Sequence, residues 1–183
     1  MLLHARRVVD AVAGHRNLAA PAAAHFKLVS PPPRIYDDLL ELDAPCGGVN
    51  TTMARTPFPI KGGKVAFAAY HPSAAMVFNI AFTQQPIAQA DFAAKWYPDT
   101  TIGPVGNYNY DVDLSNLPQA KDGVNATLQL MYNGGDGMLY QCTDIVLSSS
   151  LSTGGTKNAA VAAMLPAGAA AAAAALSALA LIL

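Results

Sequence analysis

The chain is poor in charge, in cysteine and in histidine, and each shortage narrows what it can be. Charged residues make up 13 % of its 183 residues and the formal net charge is −1. A nucleic-acid surface needs a basic patch, and an acidic interaction tail needs a run of like charge; neither is present. There are only two cysteines, Cys46 and Cys142, too few to hold a metal by themselves. Of the four histidines, only His25 and His71 fall in the central part of the chain. No long helical periodicity appears before the apolar C-terminal stretch, which argues against a helical bundle.

What is present begins with the two ends. Residues 1–24 read as an atypical signal peptide. Arg6 and Arg7 supply a positive start and Ala22-Ala23-Ala24 a small-residue cleavage site, while Asp10, His15, Arg16 and Asn17 interrupt the apolar middle. Cleavage after Ala24 would make His25 the new N-terminus; the alternative is an unprocessed extension. At the other end, residues 148–158 form a Ser/Thr/Gly-rich linker. Residues 159–183 carry no charge and no basic flank follows them. Such a stretch is long enough to span a bilayer, but Pro166 and Gly168 interrupt it. A polar spacer followed by a terminal apolar tail reads as a GPI-attachment signal. Asn158 is the first candidate for attachment, with Ser148, Ser149, Ser150 or Ser152 as alternatives; a retained transmembrane anchor is the competing reading. The ends together predict a single domain, residues 25–147, on the extracellular face of the plasma membrane or in the cell wall.

That setting gives the cysteines a meaning. An even pair in an oxidising compartment predicts one disulfide, Cys46–Cys142. Closing so long a loop is worth about 4–5 kcal/mol in the chain-entropy picture; the alternative is two unrelated buried thiols. Asn50-Thr51-Thr52 and Asn125-Ala126-Thr127 are N-glycosylation acceptors in a secreted chain.

The domain itself reads as all-β. Met76 to Phe82 places large apolar residues at every second position, and Val124 to Leu130 alternates in the same way. Asn133-Gly134-Gly135-Asp136-Gly137 is a turn, and Met138 to Leu147 resumes as a strand, giving a hairpin. Lys64 to Tyr70 and Phe26 to Ser30 are further strands, the second ended by Pro31-Pro32-Pro33. Ala88 to Trp96 is expected to form a helical turn or two, Lys61-Gly62-Gly63-Lys64 a hairpin turn, and Trp96 and Tyr97 a packed loop anchor. Short strands with Gly/Pro punctuation predict an antiparallel β-sandwich.

The chemistry rests on two histidines. An N-terminal histidine can chelate a metal through its α-amine and Nδ1 together. A second histidine makes three nitrogens in a flat T, an arrangement that favours Cu(II). Copper displaces the proton of the amine as it binds. On its own, His71 before Pro72 is more often a surface-loop residue than a ligand.

The ordered set of short motifs adds to this. His25-Phe26-Lys27-Leu28, Pro33-Arg34 with Asp37, Pro45-Cys46-Gly47-Gly48, Arg55 with Phe58-Pro59, Gly62-Gly63 and His71-Pro72 come first. Gly123 to Thr127, Asn133 to Gly137, Leu139-Tyr140-Gln141-Cys142 and Asp144 follow. In this order, with the anchor signal, the chain resembles the fungal copper acquisition factor-type family, GPI-anchored copper-binding proteins related to lytic polysaccharide monooxygenases. The resemblance implies an immunoglobulin-like or fibronectin-like β-sandwich, as in those monooxygenases. It implies a histidine brace made by His25 and His71 around copper (Cu2+). It also implies an aspartate near the metal where the oxidative relatives carry an aromatic residue. Asp144 is the favoured position, because it would share a strand face with Cys142; Asp136 in the Gly-rich turn is the alternative. A carboxylate there stabilises Cu(II) over Cu(I) and crowds a position that oxygen activation needs. The resemblance therefore implies a surface protein that captures copper for a plasma-membrane importer; the carboxylate argues that it is not an enzyme, and a monomer is expected. The alternatives are a polysaccharide-oxidising enzyme and a wall glycoprotein with no metal.

Overall fold

The computed structural model describes residues 26–35 and 37–151 of the chain. His25, Asn158, the expected signal peptide and the apolar C-terminal stretch therefore lie outside the described residues. Within them, eight strands form two sheets. β1 (Phe26–Ser30), β3 (Lys61–Ala69) and β6 (Gly106–Asp113) make a three-stranded sheet in the order β1-β3-β6. β2 (Thr56–Pro59), β4 (Ala74–Ala81), β5 (Ala94–Ile102), β7 (Asn125–Asn133) and β8 (Met138–Ser148) make a second sheet in the order β2-β8-β7-β4-β5. The domain is thus the all-β sandwich the alternation predicts, with one parallel pair, β2 beside β8.

The alternation explains the layers. Along β7, Ala126, Leu128, Leu130 and Tyr132 point into the sandwich and are fully buried. They meet Phe26, Leu28, Val65, Phe67 and Val112 of the smaller sheet in one apolar core. The opposite face of β7 and β8 is also covered. Thr127, Gln129 and Asp144 are buried there, and a small cluster of Cys46, Ala81, Phe92 and Cys142 lies on the same side. The cover includes the long connection from Pro31 to Arg55. It runs along β8 where β2 stops short: Arg34 N–H donates to Cys142 O and Tyr140 N–H donates to Glu41 O, both at 2.8 Å. The predicted disulfide Cys46–Cys142 pins it, with Cα atoms 5.2 Å apart.

Several local expectations change. Ala88 to Trp96 yields a single 3-10 turn at Gln89–Asp91, after which the chain enters β5. Trp96 and Tyr97 belong to that strand instead of anchoring a loop, and both ring edges meet Phe78. Lys61-Gly62-Gly63 is part of β3, not a turn; the register against β6 shifts between Lys61 and Gly63. A Cβ at Gly63 would stand 2.3 Å from the Phe58 ring, so the missing side chain there is what lets Phe58 into the core. Asn50 lies on an exposed loop, whereas Asn125 is half-buried and its amide donates to Gln84 Oε1 at 2.9 Å.

Candidate metal centre

Strand pairing gathers three pieces of chain at one end of the sandwich. β1 begins opposite the end of β3, Phe26 facing Ala69. Tyr70 and His71 follow immediately and cross to the other sheet, where β4 begins. Ala75 of β4 is paired with Asn133, the last residue of β7. The β7–β8 turn, residues 134–137, therefore lies beside His71. Gly135 and Gly137 adopt φ of 111° and 137°, values an L side chain resists, so this turn needs its glycines.

His71 is held from three sides. Its backbone N–H donates to Tyr132 Oη at 3.0 Å. The Tyr132 ring stacks on Phe26 with centroids 5.0 Å apart and lies 6.0 Å from the imidazole. Gly134 closes the third side, since a Cβ there would stand 2.2 Å from His71 Cδ2. The glycine is a cradle for the ring. Burial, the largest effect, pushes the Tyr132 hydroxyl above its ordinary pKa; the His71 N–H pulls against it and the Asp136 charge adds to it. Tyr132 thus stays a protonated link between Phe26 and His71.

The carboxylate beside His71 is Asp136. Its Oδ2 lies 3.2 Å from His71 Nε2, with the imidazole 17 % and the aspartate side chain 50 % exposed. Asp144, the position favoured from strand alternation, shares the Cys142 face as expected, but that face is turned away from the core and lies under the long connection. Arg34 grips it there: Nε donates to Oδ2 and Nη2 to Oδ1, both at 2.9 Å. Thr127 Oγ1 donates to Oδ1 at 2.6 Å and Met53 N–H to Oδ2 at 2.8 Å. Burial alone would raise the Asp144 pKa; the hydrogen bonds from Arg34, Thr127 and Met53 and the guanidinium charge outweigh it and hold the carboxyl below the usual range. From Met138, where β8 opens, to Asp144 is about 20 Å of strand. The structure therefore joins His71 to Asp136 and sends Asp144 elsewhere.

Tyr132 and Gly134 are the functional neighbours that the sequence reading did not single out. Tyr132 continues the inward alternation of β7, but nothing in the sequence ties it to His71 or sets Gly134 apart from the other glycines of its turn. Tyr70, next to His71, is half-exposed. Among the described residues no group of three His, Cys, Asp or Glu side chains is gathered. His71 and Asp136 offer one imidazole nitrogen and one carboxylate, a donor pair that suits a divalent transition metal and leaves further ligands to be supplied.

Comparison with known proteins bears on the same stretch of chain. Residues 23–161 match the family described as copper acquisition factor BIM1-like. The chain is 36 % identical over 138 residues to the copper acquisition factor BIM1 of Cryptococcus neoformans var. grubii, covering 71 % of this chain and 63 % of that protein. It is 35 % identical over 140 residues to the factor of the same name from C. neoformans var. neoformans, with the same coverage. To a lytic polysaccharide monooxygenase-like protein, X325, of Yarrowia lipolytica it is 28 % identical, covering 74 % of this chain and 53 % of that one. The matched region spans less than two thirds of the length of these curated relatives. The chain belongs to the BIM1-like copper acquisition factor family.

Proposed function

We propose that this protein captures Cu(II) at the cell surface and passes it on, with His25, His71 and Asp136 as the residues that hold the ion. The observation that carries the reading is the approach of His71 Nε2 to Asp136 Oδ2, 3.2 Å apart, at the end of the sandwich where β1 begins. Two donors bonded to one ion at about 2.0–2.2 Å and at a right angle stand about 3 Å apart, so this spacing suits neighbouring ligands. His25 is bonded to Phe26, and consecutive Cα atoms are about 3.8 Å apart. Phe26 in turn faces Ala69, two residues before His71. A terminal amine and imidazole at position 25 need no long reach to complete a nitrogen-rich set.

Copper is cargo in this reading. The Asp136 carboxylate adds a negative charge that favours Cu(II) over Cu(I), and it occupies space that an activated oxygen species would need. Both effects support binding and transfer over oxidation. The names of the Cryptococcus relatives agree with that assignment. The GPI anchor at Asn158, the outer face of the plasma membrane and a membrane copper importer as recipient belong to the same proposal and rest on the sequence of the two ends.

The test is electron paramagnetic resonance of Cu(II) added to the secreted protein, with its N-terminus sequenced on the same sample. A protein starting at His25 should give an axial, nitrogen-rich spectrum that is lost in His71→Ala. A spectrum like that of free copper from a correctly cleaved protein overturns the reading. Sustained copper-dependent oxidation of chitin, cellulose or xylan, followed by oxygen uptake with ascorbate, would replace capture with catalysis.

A further inference from the structure

We infer that Gln141, a buried amide on the opposite sheet, positions the start of β1 and through it the metal-binding N-terminus; this rests on the copper-site reading above. Among the described residues β1 pairs with a strand on one side alone, in the order β1-β3-β6. Its ladder to β3 runs from Phe26 to Ser30, with a register shift between Leu28 and Ser30. A ladder on one edge leaves the backbone groups of the other edge, here Leu28 N–H and Phe26 O, to find their partners elsewhere.

Gln141 supplies the other edge. Leu28 N–H donates to Gln141 Oε1 at 2.8 Å, and Gln141 Nε2 donates to Phe26 O at 2.8 Å. One acceptor for residue 28 and one donor for residue 26 is what a neighbouring strand would offer, here delivered by a single side chain. The amide cannot turn over without loss. Turned over, it would set its NH2 against Leu28 N–H and its oxygen against Phe26 O, and its second hydrogen goes to Glu41 Oε1 at 2.8 Å. Gln141 and Glu41 are 6 % and 2 % exposed, so water does not compete. The base is firm as well, because Glu41 O receives Tyr140 N–H and the next residue, Cys142, carries the disulfide. The Phe26–Tyr132 stack fixes a side chain of β1; Gln141 fixes its backbone, one peptide from His25.

A buried, satisfied glutamine is also an ordinary way to stabilise a fold, so the test separates position from stability. Gln141→Leu removes both bonds to β1 at similar volume, and Gln141→Asn withdraws the amide by one methylene while staying polar. Thr143→Val is the matched control: its hydroxyl donates to Pro32 O at 2.8 Å, also from β8 but past the end of β1. Each variant is produced as the secreted chain beginning at His25 and titrated with CuCl2, with spectra and melting recorded. Both Gln141 variants should lose about tenfold or more in Cu(II) affinity, with altered nitrogen hyperfine structure. Thr143→Val should melt lower yet keep its affinity within about twofold and its spectrum unchanged. A folded Gln141 variant with the wild-type affinity and spectrum overturns the inference. Amide exchange at Leu28 keeps the two readings apart. If wild-type protein binds no copper, the copper reading fails, and faster Leu28 exchange in the Gln141 variants still supports the positioning of β1, while unchanged exchange overturns it.

Discussion

Asp136 sits in the turn that opens β8, Asp144 deep within that strand, and the two carboxylates have opposite surroundings. Asp144 is 2 % exposed and accepts four hydrogen bonds, two from Arg34 and one each from Thr127 and Met53. An ionised carboxylate has about four acceptor sites, so none is left over, and its charge is matched by a guanidinium. Asp136 is half-exposed, and the partner its side chain meets is His71. The same functional group is a fastener in one place and an available donor in the other. What separates them is unspent acceptor capacity and uncancelled charge, more than position along the strand.

The largest expected effect tests the fastener. Asp144→Asn leaves Arg34, 3 % exposed, as a buried charge without its counter-charge. Breaking a buried pair from one side costs about 3–5 kcal/mol, read as a drop in the urea midpoint at unchanged slope. The Cu(II) spectrum of the folded variant should match wild type. The pH dependence carries a sign. The Asp144 carboxyl is held below its usual 3.8 in the folded state, so its contribution is present in full above the unfolded value. It is lost as pH falls through the lower folded value. The stability gap between wild type and Asp144→Asn should therefore be flat above about pH 5 and shrink in acid. A gap that widens in acid would break the comparison.

Why the sequence favoured the other aspartate is instructive. Alternation along β8 correctly puts Asp144 on the Cys142 face. It cannot say what covers that face, because the cover comes from Arg34, 110 residues away in the chain. Long-range side-chain pairing leaves no local period. The hairpin of β7 and β8, the strand β1 and the disulfide were legible because each rests on a near-neighbour pattern or on two unique residues. β2 was not, since Pro57 and Pro59 suppress a strand reading; the structure accommodates them where β2 runs along one edge of its sheet. β6 carries a clear alternation of Asn107, Asn109 and Asp111 against Tyr108, Tyr110 and Val112. Its apolar face rests on two tyrosines and a valine, and the structure leaves the tyrosines partly buried. Of the site, His71 and both candidate aspartates were legible. The Gly134 cradle and the Tyr132 link were not, because contact with a ring from a distant part of the chain has no signature in composition.

A smaller effect tests how the available donor is held. Gly134→Ala brings a methyl group within 2.2 Å of where His71 Cδ2 stands, and no such contact survives without movement. The imidazole must turn out or the turn must shift, and either parts Nε2 from Asp136. Cu(II) affinity should fall toward a hundredfold, about 2.7 kcal/mol, in isothermal titration. The turn is at the surface, so the melting temperature should move little. Loss of stability with copper binding retained would mean that Gly134 serves the turn and not the ring.

The finest division comes from Asp136→Asn. Asparagine keeps the shape and can still meet His71 Nε2 through its carbonyl oxygen, so the substitution removes charge and little else. If the carboxylate holds Cu(II) by its charge, Cu(II) affinity should fall about tenfold, close to 1.4 kcal/mol, while Cu(I) affinity changes less, and the reduction potential of the bound ion should rise. Stability should stay within about 0.5 kcal/mol of wild type, as for other surface substitutions. Measured beside Asp144→Asn, this gives two variants of the same chemistry with crossed outcomes: one loses fold and keeps copper, the other keeps fold and loses copper. Should both lose stability alone, Asp136 is a turn residue like any other, and the metal must draw its negative charge from outside the β7–β8 turn.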